Sequence, residues 1–215
     1  MFRLFVFDLD GTLIDSRRDI ADAANLLLRD CGAEPLPEDR LGRMVGDGAA
    51  TLVARAFAAS GVEQPPDALE RFVAIYGRML LNHTRPYAGI PEVLEALASR
   101  AALAVLTNKP LASTRRILAG LELARFFAED AVIGGDGPFP RKPDPAGLRH
   151  LAARAGTAHG DTLLIGDSII DWRTARAAST SICLARYGFG FEGFPRDQLS
   201  EHDRVIDHPA QLAVL

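Results

Sequence analysis

Phe2-Arg3-Leu4-Phe5-Val6-Phe7-Asp8-Leu9-Asp10-Gly11-Thr12 sets six mostly apolar residues directly before two carboxylates and a glycine turn. A continuous apolar run of this length reads as a strand covered on both faces, and in sheets built from such strands ligands bind at the carboxyl ends. Side chains two apart on an extended chain share a face, so Asp8 and Asp10 are expected to point the same way. A plain turn is the alternative, since Asp and Gly close strands everywhere. Against it stands Asp8, an acid between Phe7 and Leu9 whose burial is costly unless a cation or hydrogen bonds compensate.

Outward from this strand, the interval Arg17 to Arg85 carries only helical stripes: Ile20, Ala23, Ala24, Leu27 and Leu28, then Leu52, Val53, Ala56 and Phe57, then Leu69, Phe72, Val73, Tyr76 and Leu80. Beyond Pro86 short apolar runs alternate with helical patterns. Strands are predicted at Leu103 to Leu106, Ala131 to Ile133, Leu163 to Ile165 and Ser181 to Ala185. Helices are predicted to end over Ile117 to Leu121, to span Leu148 to Ala155 and to follow Asp171. This pattern predicts an α/β fold, a doubly wound parallel sheet formed by residues 1–16 and 86–215, with an all-helical block, 17–85, inserted after the first strand. Ser16 or Asp15 is expected to cap the first inserted helix, and Arg85-Pro86-Tyr87-Ala88-Gly89 reads as the return linker.

The chain has 215 residues, and its 48% hydrophobic content is ample for a buried core. A net charge of −4 with no basic cluster argues against a nucleic-acid or membrane-surface partner, and the apolar runs are too short to span a bilayer. Cys31 and Cys183 lie far apart, which suggests core-filling thiols rather than a disulfide framework or a zinc site. No export signal is visible, so a cytoplasmic protein, monomer or homodimer, acting on a small ligand is expected.

Three further strand ends supply polar groups that can meet Asp8 and Asp10. Thr107-Asn108-Lys109 offers a hydroxyl and backbone N–H groups before a helix, an arrangement that holds phosphate oxygens but also occurs as turn chemistry, with Lys109 read as a solvated charge. Arg141-Lys142-Pro143-Asp144-Pro145 stiffens the backbone around Lys142, as an aimed ammonium requires and as a proline-rich helix entry also shows. Leu163-Leu164-Ile165-Gly166-Asp167 runs a second apolar strand into an acid. Acids delivered to one sheet edge repel unless a divalent cation is present, and hard oxygen ligands without His or Cys suit Mg²⁺. Asp171 is either a cap for the next helix or an outer neighbour of that metal.

These four motifs, in this order, resemble the haloacid dehalogenase-like hydrolases, and the resemblance covers nearly the whole chain. It implies Asp8 as nucleophile, Asp10 as general acid and base, and Thr107 and Lys142 as groups holding the phosphoryl oxygens. It implies Mg²⁺ bound by Asp8, Asp167 and the Asp10 carbonyl, and it makes residues 17–85 a mobile cap hinged near Ser16 and Pro86. Dehalogenases of the family generally lack the acid at Asp10, which disfavours carbon–halogen cleavage. Within the helical-cap branch, Arg43-Met44-Val45-Gly46-Asp47-Gly48, Thr107-Asn108-Lys109-Pro110 and Gly134-Gly135-Asp136 look most like phosphoglycolate phosphatases. That likeness implies a small phosphorylated metabolite, with Thr12, Thr107, Asn108, Lys142, Arg43 and Gly46 as binding residues and Arg18 as a further cation for its carboxylate. A sugar-phosphate phosphatase, a phosphomutase and a non-catalytic binding protein of the same fold are the alternatives.

Overall fold

Strand β1 (Leu4–Phe7) and the short β2 (Ile14–Asp15) precede four helices, α1 (Arg17–Asp30), α2 (Glu38–Gly42), α3 (Ala49–Ser60) and α4 (Ala68–Met79), after which the chain returns along β3 (Arg85–Pro86). Helices and strands then alternate through α5 (Ile90–Ala98), β4 (Ala102–Leu106), α6 (Leu111–Gly120), β5 (Val132–Ile133), α7 (Ala146–Arg154), β6 (Thr162–Gly166), α8 (Ile169–Ala178), β7 (Ser181–Ala185) and β8 (Arg204–Ile206). The structure, a computed structural model, describes residues 1–215. Six strands form one parallel sheet in the order β5-β4-β1-β6-β7-β8, as the βαβα alternation predicts.

β1 is buried along its whole length between β4 and β6. Phe5 and Phe7 face one core with Val105, Ile165 and residues of α5 and α6, while Leu4 and Val6 face a second core closed by α7 and α8. Two apolar faces on one strand explain why its sequence shows no polar alternation. The strand order reverses at β1, which opens a crevice at the carboxyl ends. The register pairs Phe7 with both Val105 and Ile165, so Asp8, Thr107 and Asp167 emerge on adjacent strands, about 5 Å apart from one to the next.

The inserted helices pack their stripes into the same core as Phe5 and Phe7, through Ala24, Leu28, Phe57, Phe72 and Tyr76 among others. Leu69 and Val73 depart from the predicted stripe and lie at the surface. The segment is attached by two crossings held side by side: β2 and β3 pair antiparallel, Ile14 opposite Pro86 and Asp15 opposite Arg85. Arg85 and Pro86, expected as linker, are therefore strand, and proline is tolerated because this two-stranded ribbon leaves its outer side unpaired. Just beyond, buried Asp19 accepts hydrogen bonds from His83 N at 2.9 Å and from Thr84 N and Oγ1 at 2.8 Å, tying the start of α1 to the returning chain. Arg18 pairs instead with Asp22, at 3.8 Å, one helical turn on.

Ser16 stands at the N-cap of α1 but its side chain caps nothing, and Asp15 Oδ1 accepts from Arg17 N at 3.1 Å. Cys183 is buried as expected, whereas Cys31 is half-buried at the end of α1. No helix is long and apolar enough to cross a membrane.

Candidate active site

Asp8 continues the β1 ladder by donating its N–H to Ile165 O at 2.8 Å, which fixes its side chain at the strand tip in a buried position. Lys142, also buried, reaches it from the loop before α7, with Nζ 2.9 Å from Asp8 Oδ1 and 2.5 Å from Asp171 Oδ1. Of the two sequence readings of Asp171, the structure shows the helix cap. Ser168 is the N-cap of α8 and Asp171 its capping-box partner, whose Oδ2 accepts from Ser168 N at 3.1 Å and from Ser168 Oγ at 2.6 Å. The other oxygen is thereby aimed at Lys142.

Asp167 follows β6 and accepts from Gly190 N at 2.7 Å through Oδ2. The backbone wraps it closely: a Cβ at Gly11, where φ is +85°, would lie 1.9 Å from Asp167 Oδ2, and one at Gly188 would lie 2.4 Å from Asp167 Cβ. Only glycine fits at either place. The carboxylates of Asp8, Asp167 and Asp171 lie within 4.8 Å of one another, with Lys142 as the ammonium among them. Burial pushes the Asp8 carboxyl up to about 6 against the pull of Lys142, and it raises Asp167 well above the usual carboxylate range, with the charges of Asp171 and Asp8 adding to the effect. For Lys142 burial works the other way, but Asp171 and Asp8 outweigh it and hold the ammonium above its ordinary value. Three acids against one cation leave a surplus of negative charge in oxygen donors alone, a set that fits a hard divalent cation such as Mg²⁺. Asp171 has both oxygens engaged by Lys142 and Ser168, whereas Asp167 Oδ1 accepts no hydrogen bond and is free for a ligand.

Asp10 lines the same cleft as Asp8 and Asp167 but is oriented by different partners. β1 ends at Phe7, and Leu9 O accepts from the N–H groups of Thr12, Leu13 and Ile14, so the chain turns and the extended-strand argument does not reach Asp10. Its carboxylate accepts from Ser16 Oγ at 2.5 Å and from Lys109 Nζ, which is 2.9 Å from each oxygen. The hydroxyl expected to cap α1 thus serves Asp10. Lys109, read from sequence as a solvated charge, is 7% exposed and sits over the Tyr76 ring, 4.6 Å from its centroid. Tyr76 stacks on Phe72, and its buried hydroxyl has no hydrogen-bond partner. Burial pushes that phenol up to about 12, so it remains a donor at neutral pH.

Thr107 is buried at the tip of β4 and lines the cleft, its Oγ1 accepting from Lys109 N at 3.2 Å. The first amide of α6, Leu111 N, is taken by Asp136 Oδ1 at 2.7 Å. Asn108 donates both amide protons, to Gly46 O and to Lys142 O at 2.9 Å each, and so joins the inserted segment to the lysine loop. Gly46 lines the cleft. Four expected binding residues do not line it. Thr12 is wholly buried with its hydroxyl unpartnered, Arg18 is exposed, and half-exposed Arg43 lies 3.6 Å from Glu192. The fourth, Lys142, is buried and reaches the site through its contact with Asp8. The cleft holds about 780 Å³, its open mouth included, and the inserted segment faces it with apolar side chains such as Ile20, Leu52 and Phe72 and a single polar one, Tyr76.

The family model of haloacid dehalogenase-like hydrolases matches residues 5–185. A phosphoglycolate phosphatase of Rhodospirillum rubrum is 42% identical over 201 residues, covering 89% of this chain and 83% of its own. One from Agrobacterium fabrum is 39% identical, covering 97% and 90%. Among solved structures, a predicted phosphoglycolate phosphatase from Haemophilus somnus superposes with a TM-score of 0.89 at 30% identity, covering 98% of this chain and 96% of that one.

Proposed function

The chain belongs to the haloacid dehalogenase-like hydrolases, and from that premise we propose that it is a Mg²⁺-dependent phosphomonoester hydrolase that takes 2-phosphoglycolate through an aspartyl-phosphate. The observation that carries the reading is the convergence of Asp8, Asp167 and Lys142 at two adjacent strand tips, with Asp10 on the same cleft. Asp8 attacks phosphorus, the bond to the leaving oxygen breaks, and Asp10 gives that oxygen a proton. Asp10 then takes a proton from a water that attacks the phosphorus, and orthophosphate leaves Asp8 free. Lys142 and Thr107 hold the non-bridging oxygens. Asp8, Asp167 and the Asp10 carbonyl would hold Mg²⁺, which when bound offsets the repulsion between the carboxylate and the phosphate dianion. Residues 17–85 act as the cap that excludes water, hinged on the β2–β3 ribbon.

Two things support the substrate. The curated relatives carry that activity in their names, and the cap presents one polar side chain to the cleft, too few to hold the hydroxyls of a sugar. A panel of phosphate esters assayed with Mg²⁺ tests both parts. Phosphate release from 2-phosphoglycolate is expected to exceed that from sugar phosphates, nucleotides and pyrophosphate in kcat/KM. A faster sugar phosphate overturns the substrate, and no release from any ester overturns the phosphatase.

The raised carboxyls give the metal a thermal signature. Asp8 and Asp167 titrate higher in the folded, metal-free protein than in the unfolded chain, so the folded state holds more protons over that window. Their contribution to stability is fully present below the unfolded value and is lost as pH rises through the folded one. Mg²⁺ requires both deprotonated and compensates that loss. The rise in Tm on adding Mg²⁺ is therefore expected to grow between about pH 5 and about pH 7.5. An equal rise at both ends would remove these two acids from the metal site.

A further inference from the structure

Lys109 and Tyr76 stand out because the two-step chemistry leaves them without a task. Both line the cleft, both are more than nine-tenths buried, and each comes from a different side of it. The ammonium has three protons: its contacts with the two oxygens of Asp10 engage two of them, and Tyr76 lies against the same nitrogen. The Tyr76 hydroxyl donates to nothing, a state that costs a buried donor free energy until a ligand satisfies it. A spare hydroxyl donor beside a buried cation borders a space whose remaining cap wall is apolar.

Resting on the phosphatase reading, we infer that Lys109 and Tyr76 form the subsite that recognises a carboxylate on the leaving alcohol. The carboxylate accepts from the Tyr76 hydroxyl and is balanced by the Lys109 charge, while Arg43 is drawn to Glu192 and Arg18 to Asp22. The position sets the size of the acid. Asp10 contacts the leaving oxygen, and Lys109 Nζ is 2.9 Å beyond Asp10. Two hydrogen bonds in series place the ammonium within about 6 Å of the leaving oxygen. A two- or three-carbon 2-hydroxy acid spans that distance. The substrate class is thus the phosphate esters of short 2-hydroxy acids, chosen by charge close to the scissile bond.

The test compares kcat/KM for 2-phosphoglycolate and for ethyl phosphate, which replaces the carboxylate by a methyl group. Tyr76→Phe keeps the stack on Phe72 and removes only the hydroxyl. The ratio of the two esters is expected to fall about ten- to hundredfold, as for loss of a hydrogen bond to a charged group, with the change mainly in KM. Because Lys109→Gln also strips Asp10 of its partner, Lys109 is tested by binding: glycolate is expected to inhibit hydrolysis of p-nitrophenyl phosphate by the wild type and to bind Lys109→Gln at least tenfold more weakly in calorimetry. A ratio that survives Tyr76→Phe, or one that collapses instead in Arg43→Ala, overturns the inference while the phosphatase stands. Hydrolysis of p-nitrophenyl phosphate that glycolate does not inhibit overturns it likewise. Failure to hydrolyse any ester removes the phosphatase reading first, and the subsite with it.

Discussion

Asp8→Asn is expected to lower kcat by about 10⁴- to 10⁶-fold, the scale seen when an enzyme's nucleophile is removed. The amide has the shape of the carboxylate and can still accept from Lys142, so substrate and metal positions change little. What it lacks is the charge that makes the oxygen a nucleophile and the carboxylate that leaves readily when water attacks the phosphorus in the second step. Stability separates this from trivial unfolding. The Asp8 carboxyl is pushed up to about 6 by burial, so at neutral pH its charged form weakens the metal-free fold. The neutral amide relieves that, and the metal-free variant is expected to melt at or above the wild-type temperature at neutral pH. It should also show a smaller rise in Tm with Mg²⁺. A variant that folds and keeps activity within tenfold of wild type would move the nucleophile elsewhere, and the aspartyl-phosphate scheme would go with it.

The sheet and half of the site are legible in the sequence for one reason: the signal is local. Leu4 to Phe7 and Leu163 to Ile165 are buried strands on any reading of an apolar run, and an acid after each stands where chain and core meet. Thr107 after Leu106 follows the same logic. The parts that were not legible depend on partners far away in the chain. Lys109 is buried because Asp10, 99 residues earlier, and Tyr76 on α4 enclose it, and nothing around Pro110 announces either. Tyr76 was visible as one position in a helical stripe, yet periodicity cannot say that its hydroxyl meets the cleft rather than the core. Arg43 shows the converse error. A cation near a glycine turn suggests anion binding, but a long side chain on an exposed surface finds the nearest acid, here Glu192. Helix α5 and strand β8 carry weak local signals, because the first directly follows a segment with linker composition and the second is three residues long.

Lys142 should be the residue whose loss is felt in two measurements at once. Its ammonium is the cation that touches both Asp8 and Asp171, and all three are buried. Lys142→Met keeps most of the volume and removes the charge. In catalysis the developing negative charge on the transferring phosphoryl group loses a fixed partner, which costs about 10²–10³ in kcat. In folding, the buried acids Asp8, Asp167 and Asp171 are left without a cation, and removing one partner from a buried pair costs about 3–5 kcal/mol. The two losses respond differently to metal. Mg²⁺ restores positive charge among the acids and is expected to return much of the lost Tm, making the variant's stability far more Mg²⁺-dependent than the wild type's. It is not expected to restore kcat, because Asp8, Asp167 and the Asp10 carbonyl would hold the metal and none of them replaces the ammonium that touches Asp8. Asp171→Asn probes the same network from behind: Lys142 keeps Asp8 but loses its 2.5 Å anchor, so kcat is expected to fall by less than in Lys142→Met. If Lys142→Met melts like the wild type without Mg²⁺, the ammonium does not balance the three acids, and the charge arrangement on which the phosphoryl-transfer scheme depends is wrong.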